Sequence, residues 1–227
     1  MQKNKGEILQ APYQRVLIAR FTALGDVAMT IPVIYSVCRE NPGTRFLMLT
    51  QRVASQLFIN APENLQVMGI NTTDYKGIGG LYRLYKEIKR NFNPQAFVDL
   101  HGVIRTYVLG AFFTLFGVKV QHIDKGRAGK RALTRRRGKR LLPLISSRAR
   151  YREVFHRVGF EFKYEFTSLF GKEKAPQESF AEITPPRTDL SERWIAIAPF
   201  ANHKGKIYPL EKMEQVVAVL SRRPDVK

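Results

Sequence analysis

The sequence predicts an α/β protein of Rossmann-like type built on a parallel sheet, and two features of the chain lead to this fold class. The first is the segment RVLIARFTALGDVAMTIP at residues 15–32, where a short aliphatic run is followed by a turn at Gly25 and apolar residues at helical spacing. The second is the return of the same order of strand, loop and helix at residues 193–223. A strand, a turn and a helix open each Rossmann-like unit, and ligands bind beyond the carboxyl ends of the strands.

Apolar periodicity predicts the remaining elements between these two segments. Short apolar runs predict strands at residues 16–19, 45–50, 65–70 and 96–100. Helical spacing predicts a helix after Gly25 and further helices at residues 53–59, 81–92, 105–116 and 150–158. Three glycines at positions 77, 79 and 80 predict a flexible link before the helix at 81–92.

The domain boundaries follow from changes in composition. Residues 1–13 are expected to be a polar leader, and residues 14–170 the first Rossmann-like domain. Residues 171–192 contain three prolines and many charges, which predicts a linker. Residues 193–227 then give the beginning of a second Rossmann-like domain, with one buried strand at 193–198 and one helix.

Net charge predicts an anionic partner. The chain of 227 residues has 38 Lys or Arg against 19 Asp or Glu, a formal charge of +19, while its 44% hydrophobic content excludes a disordered protein. Eleven of the basic residues lie within residues 125–150, which contain no acidic and no aromatic residue. Most such runs are solvated surface, but without aromatics for base stacking a phosphate or lipid headgroup is a better partner than nucleic acid.

The sequence also bears on location. The first residues lack the apolar core of a secretory signal, and the longest apolar run, residues 108–118, is shorter than the ~20 residues that span a bilayer. We therefore expect a cytoplasmic protein. A peripheral position on the inner face of the cytoplasmic membrane remains a second alternative.

Asp26 is the first candidate functional residue, and two interpretations are open. Because Asp is a strong N-cap residue, its carboxylate is expected to cap the helix that follows. The alternative is a carboxylate at the mouth of a cleft, acting as a general base. The three-glycine dinucleotide fingerprint is missing around Gly25, so the turn does not predict an NAD site.

Two further stretches contain polar residues at strand ends. Asp99 and His101 could form an acid–base pair. The alternative is that they are structural hydrogen-bonding groups, which is the more common role of a lone histidine at a strand end. In the second domain, Asn202 and Lys206 precede Pro209, where a helix is expected to begin. Backbone N–H groups at a helix start and a lysine together suit a diphosphate, and a solvent-facing loop is the alternative.

The segment RFTALGDVAMTIP at residues 20–32 closely resembles the N-terminal motif of the ADP-heptose:lipopolysaccharide heptosyltransferases, glycosyltransferase family 9. The sequence DLHG at residues 99–102 resembles the family's DLxG strand end. The segment from Pro199 to Pro209 resembles its K-x-W-P segment, with Tyr208 where the family often has Trp. The resemblance implies a GT-B fold, in which two Rossmann-like domains face a cleft, and an inverting, metal-independent transfer.

The resemblance also implies roles for individual residues. Asp26 would be the general base for transfer of a heptose from an ADP-sugar to a phosphorylated, lipid-linked inner-core saccharide, with no cofactor and no metal. The donor would be bound by Gly25, Asn202 and Lys206, and the acceptor by Arg105, Lys125, Arg127, Lys130 and Arg150.

Because the second domain contains one strand–helix unit, we expect a C-terminally truncated family member. The alternative function is a non-catalytic module that binds polyanions or a membrane surface.

Overall fold

The computed structural model describes residues 12–173, 175–176, 178, 181–182, 193–201 and 203–226. The chain divides into two compact units, Met1–Lys172 and Glu173–Lys227. Most of the predicted leader at 1–13 and most of the predicted linker at 171–192 lie outside the described residues. Within the described residues, no helix is both long and apolar enough to cross a bilayer.

The first unit is built on a five-stranded sheet in which every pairing is parallel. Its strands are β1 (Arg15–Ala19), β2 (Arg45–Gln51), β3 (Leu65–Ile70), β4 (Ala96–Asp99) and β5 (Lys119–His122). Their spatial order is β3-β2-β1-β4-β5, so β2 and β3 lie on one side of β1 and β4 and β5 lie on the other. The predicted α/β fold with a parallel sheet is confirmed, as are its four predicted strands.

Seven helices of the described chain belong to this unit. They are α1 (Leu24–Ala28), α2 (Ile31–Glu40), α3 (Arg52–Ser55), α4 (Gly77–Asn91), α5 (Ile104–Leu115), α6 (Arg127–Thr134) and α7 (Ser147–Val158). A break at Thr30 separates α1 from α2, and Pro32 lies in the first turn of α2, where its missing N–H leaves no helical bond unmade.

The core consists of two apolar layers, one on each face of the sheet. In β1, Val16 and Ile18 belong to one buried cluster and Leu17 and Ala19 to the other, as the two-residue period of a strand requires. All four residues are fully buried. A strand that is covered on both faces reads as a continuous apolar run, which is why β1 could be recognised in the sequence.

Two parts of the first unit differ from the prediction. Strand β5 and helix α6 were not predicted. β5 is an edge strand whose side chains are half-buried or exposed, so its sequence contains no apolar run. The glycines at 77–80 form the first turn of α4 rather than a flexible link. Gly80 has a packing reason, since a Cβ there would lie 2.5 Å from the backbone carbon of Tyr75.

The second unit contains a short 3₁₀ helix, Lys204–Lys206, and helix α8 (Leu210–Ser221). The helix was predicted, but the buried strand at 193–198 is not present. Arg193 makes an isolated parallel bridge to Val226, and the Trp194 side chain is 39% exposed. A strand is stabilised by a ladder of neighbouring strands, and the described part of this unit places one bridge beside residues 193–198.

Candidate functional site

The candidate site lies where the strand order reverses, between β1 and β4. In open parallel sheets this point leaves a crevice beyond the carboxyl ends of the two strands. Arg20 directly follows β1, and its Nη1 donates a hydrogen bond of 2.6 Å to the carbonyl of Leu100, which follows β4. The guanidinium therefore joins the two strand ends at the crevice.

Asp26 points to this guanidinium and does not cap a helix. Its Oδ2 accepts a hydrogen bond of 2.7 Å from Arg20 Nη2. The N-cap of α1 is Ala23, without a side-chain cap, so the capping interpretation of Asp26 was wrong. The Asp26 side chain is 50% exposed while that of Arg20 is 10% exposed, so the arginine is the anchored partner of the pair.

Asp26 and Arg20 line a cavity of about 480 Å³. Among the residues that the structure describes, its basic lining residues are Arg20, Lys125, Lys130 and Arg150, and Asp26 is the single carboxylate of the lining. Burial lowers the pKa of Lys125 below its ordinary value, and the positive charges of Arg127 and Arg20 lower it further. Four cations around one carboxylate make the cavity suited to anionic groups.

Arg150 holds the wall of this cavity together. Its Nη1 donates to the carbonyl of Asp124 at 3.0 Å and its Nε to the carbonyl of Ile145 at 3.1 Å. The guanidinium lies directly against Gly126, where any side chain would collide with it. Arg150 thus links the start and the end of the basic segment at residues 125–150.

Asp99, at the end of β4, is a structural residue. It is fully buried, and its carboxylate accepts hydrogen bonds from the backbone of His101 and Gly102, from Thr106 Oγ1 at 2.7 Å and from His122 Nδ1 at 2.7 Å. Burial alone would raise the pKa of Asp99, but these hydrogen bonds outweigh it and hold the pKa below its ordinary value. The carboxylate fixes the turn from β4 into α5.

His101 lies on the other side of the same turn, and Asp99 accepts from its backbone N–H rather than from its ring. Its Nδ1 accepts from the Phe21 N–H at 3.4 Å, so the neutral ring presents its Nε2 proton to Thr22 Oγ1 at 3.3 Å. Burial, and then the charge of Arg20, lower the pKa of His101 to about 4. The structural interpretation of Asp99 and His101 is the one the geometry favours.

Three other predicted residues do not line the Asp26 cavity. Arg105 donates from Nη1 to the carbonyl of Thr72 at 2.8 Å, and Arg127 is an exposed residue at the start of α6. Gly25 precedes Asp26 in α1, and apart from its chain neighbours and the backbone of α1 no atom lies within 4 Å of the position of a Cβ there.

In the second unit, Lys206 ends the 3₁₀ helix and is exposed, three residues before the N-cap of α8 at Pro209. Asn202 lies outside the described residues.

Sequence reasoning missed Arg20, His122 and Tyr151. The ring of Tyr151 packs beside the Arg20 guanidinium, 5.6 Å from its Cζ, and lines the cavity. One signal could have indicated Arg20, because a charged residue directly after a buried strand lies at the ligand edge of the sheet. His122 and Tyr151 have no local signal, since their partners are 23 residues and more than 100 residues away in the chain.

Among the described residues, no group of three or more His, Cys, Asp or Glu side chains is arranged to hold a metal ion.

No family model matches the chain, and no curated protein sequence matches it. Solved structures do. A glycosyl transferase of family 9 from Veillonella parvula superposes with a TM-score of 0.65 and 18% identity, over 94% of this chain and 61% of that one. E. coli heptosyltransferase WaaC, with ADP-2-deoxy-2-fluoro heptose and with ADP, gives TM-scores of 0.58 and 16% identity over 92% of this chain.

These similarities concern the fold. The chain spans 66% and 65% of the two WaaC structures, so it covers less than two thirds of each of the three neighbours. Over that part, the predicted Rossmann-like α/β fold with a parallel sheet is confirmed, and it matches part of the fold of these glycosyltransferases.

Proposed function

We propose that the chain is the acceptor-side part of a family 9 glycosyltransferase that transfers a heptose from an ADP-sugar to a phosphorylated, lipid-linked inner-core saccharide. One observation carries the proposal: a half-exposed carboxylate, Asp26, lies in a cationic cavity at the switch point of a sheet whose fold is shared with glycosyltransferases. The motif resemblance around Asp26 and the nucleotide-bound WaaC neighbours support the choice of donor.

The chemistry follows from this arrangement. Asp26 removes the proton of the acceptor hydroxyl as its oxygen forms a bond to the anomeric carbon. The bond from that carbon to the diphosphate oxygen breaks, ADP leaves from the opposite face, and the anomeric configuration inverts. Arg20 occupies Oδ2 of Asp26 at 2.7 Å, so Oδ1 is the oxygen directed to the hydroxyl. A positioned base contributes about 10²–10⁴ in rate.

The acceptor's phosphates are bound by the cationic wall of the cavity. Lys125 and Lys130 face it directly, while Arg150 holds its backbone and presents its remaining donors. Arg105 and Arg127, which lie outside the cavity, would contact the acceptor's more distant charges.

The resemblance assigns donor contacts to Gly25 in the first unit and, separately, to Lys206 and Asn202 in the second. The open space at Gly25 suits the close approach of a diphosphate to the backbone of α1. Lys206 and Asn202, before α8, would offset the charge that develops on the departing ADP.

The first prediction concerns Asp26. In a full-length version of the enzyme, Asp26→Asn keeps the shape of the side chain but cannot take a proton, so transfer from ADP-heptose should fall at least about 100-fold while ADP-sugar affinity stays unchanged. ADP release in the presence of a delipidated inner-core acceptor measures the rate, and titration calorimetry measures donor affinity.

Asp74→Asn, at an exposed aspartate on the loop after β3, is the matched control and should leave both quantities unchanged. Turnover that survives Asp26→Asn would show that Asp26 is not the base.

Lys125→Gln and Lys130→Gln should raise the acceptor KM and leave the donor KM unchanged. A donor KM that rises in these lysine variants would show that the cavity binds the donor and not the acceptor.

A non-catalytic polyanion-binding module is the second candidate, because none of the eleven basic residues of the segment 125–150 forms an ion pair with a described carboxylate. Steeply salt-dependent binding to anionic vesicles or duplex DNA, without any binding of ADP, would favour the module over the enzyme.

A further inference from the structure

An exposed apolar loop interrupts the basic segment. A run of charges that is simply solvated would not need these exposed aliphatic residues. We name residues 135–145 the basic–apolar loop. Its leucines Leu141 and Leu142 are 80% and 66% exposed, and Ile145 is 65% exposed. Burial of apolar surface is the main stabilising term in folding, so three large aliphatic side chains held in water on one short loop indicate a partner.

The loop is positioned rather than loosely attached. Leu144 packs against Gly129 of α6, where a Cβ would lie 2.8 Å from its Cδ2. The carbonyl of Ile145 accepts from Arg150, and Ser146 caps α7 through the Ala149 N–H at 3.2 Å. With Leu144 anchored on one side, the other aliphatic side chains of the loop remain on the outside.

The charges around these side chains all have one sign. The loop contains five cations and no carboxylate, and the cations are Arg135, Arg136, Arg137, Lys139 and Arg140. All five are exposed, and none pairs with a described acidic group. Aliphatic residues beside a cluster of exposed cations match an anionic bilayer, with the aliphatic groups below the headgroups and the cations among the phosphates.

We propose that the basic–apolar loop inserts into the surface of an anionic phospholipid bilayer and docks the Asp26 cavity on it. Leu144 and Ile145 belong both to this loop and to the lining of the cavity. The cavity wall and the membrane contact are therefore one structure. The meaning of this contact for catalysis rests on the proposed function: a lipid-linked acceptor would enter the cavity from the bilayer without leaving it.

Vesicle sedimentation tests the apolar part of the contact. The double variant Leu141→Ser/Leu142→Ser should lower partition onto vesicles of phosphatidylcholine and phosphatidylglycerol by at least about tenfold, because it removes the inserted side chains. Both residues are exposed, so the variant should fold, and circular dichroism checks this.

The matched control is Ile104→Ser/Leu115→Ser on α5, where the side chains are 82% and 77% exposed but lie outside the basic segment. Its partition should stay within twofold of the wild type.

A charge variant tests the electrostatic part. Arg135→Gln/Arg136→Gln/Arg137→Gln should weaken partition at low salt by about 100-fold, since each cation near an anionic surface contributes about fivefold. Pure phosphatidylcholine vesicles should bind the wild type weakly, and added salt should reduce the difference between the two lipids.

Three results would overturn the proposal. Partition that is unaffected by the leucine variant would mean that no side chain inserts. Loss of partition in the α5 control would assign the contact to another surface. Duplex DNA bound more tightly than the anionic vesicles, and equally by wild type and leucine variant, would make the loop a nucleic-acid contact.

Failure of the proposed function would look different, because transfer to a delipidated acceptor does not need the bilayer. The leucine variant should retain that transfer while losing vesicle binding. If Asp26→Asn also retains it, the catalytic proposal fails and the membrane contact stands.

Discussion

His101 shows how one buried side chain makes the stability of the whole sheet depend on pH. Burial and the neighbouring charge of Arg20 lower its pKa to about 4, with Asp99 and Asp26 acting in the opposite direction and Lys125 in the same direction as Arg20. In the unfolded chain the same ring titrates near 6.5. Between these two values the unfolded state binds a proton that the native state does not.

Stability should therefore be complete above about pH 6.5 and fall as the pH decreases towards 4, by as much as about 3 kcal/mol from this residue. Urea unfolding of wild type and His101→Asn across this range measures the effect. The difference in unfolding free energy between the two proteins should change steeply with pH below 6.5. A difference that is constant with pH would mean that the ring titrates normally in the folded protein.

At the same scale, the sequence identifies the site only partly. Asp26 was recognisable because a motif surrounds it, but its two interpretations could be separated only by the structure, which shows its carboxylate bound to Arg20. The partners of Arg150 are backbone carbonyls, and those of Asp99 include His122 across a neighbouring strand. Contacts of this kind depend on the tertiary fold and leave no local pattern in the chain.

Among the elements, the junction of β5, α6 and α7 depends on the contact between Gly126 and Arg150. Gly126 has a φ of 59° and lies directly under the guanidinium, whereas Gly138 also has a φ of 59° but would place a Cβ 3.8 Å from Arg135. Alanine at either position therefore meets the same backbone strain, about 1–2 kcal/mol. Only the alanine at position 126 must also displace the Arg150 guanidinium.

Gly126→Ala should therefore lower the free energy of unfolding by at least about 1 kcal/mol more than Gly138→Ala, because the hydrogen bonds of Arg150 to two carbonyls are lost. The segment at 135–146, rich in arginine, should also become more sensitive to trypsin in Gly126→Ala. Denaturant unfolding and limited proteolysis measure the two effects. Equal losses in the two variants would show that the Arg150 contact does not stabilise the junction.

The strands that the sequence revealed most directly are those with both faces buried. Strands β1, β2 and β4 are apolar runs because helices cover them on both sides, and β3 was recognisable from its apolar ends. β5 has half-exposed side chains and was missed. At residues 193–198 the apolar run predicted a strand, yet a strand also needs neighbours, and the described chain supplies one bridge.

For the whole molecule, burial is concentrated in the first unit. Both buried apolar clusters lie within residues 12–172, whereas no described residue of 173–226 is buried. A helix of the length of α8 is marginal in water without a packed face, since most helical stability in proteins comes from packing. The cooperative stability of the chain should thus belong to the first unit.

Hydrogen exchange of the intact chain tests this distribution. Amides of β1 and β4 should exchange only through global unfolding, at least about 10³-fold more slowly than those of α8, which should open by local fraying. Mass spectrometry of peptides covering Arg15–Ala19 and Leu210–Ser221 compares them directly. Equal protection in the two peptides would mean that α8 unfolds together with the sheet, so that its exposed apolar residues are covered by a contact within or between chains.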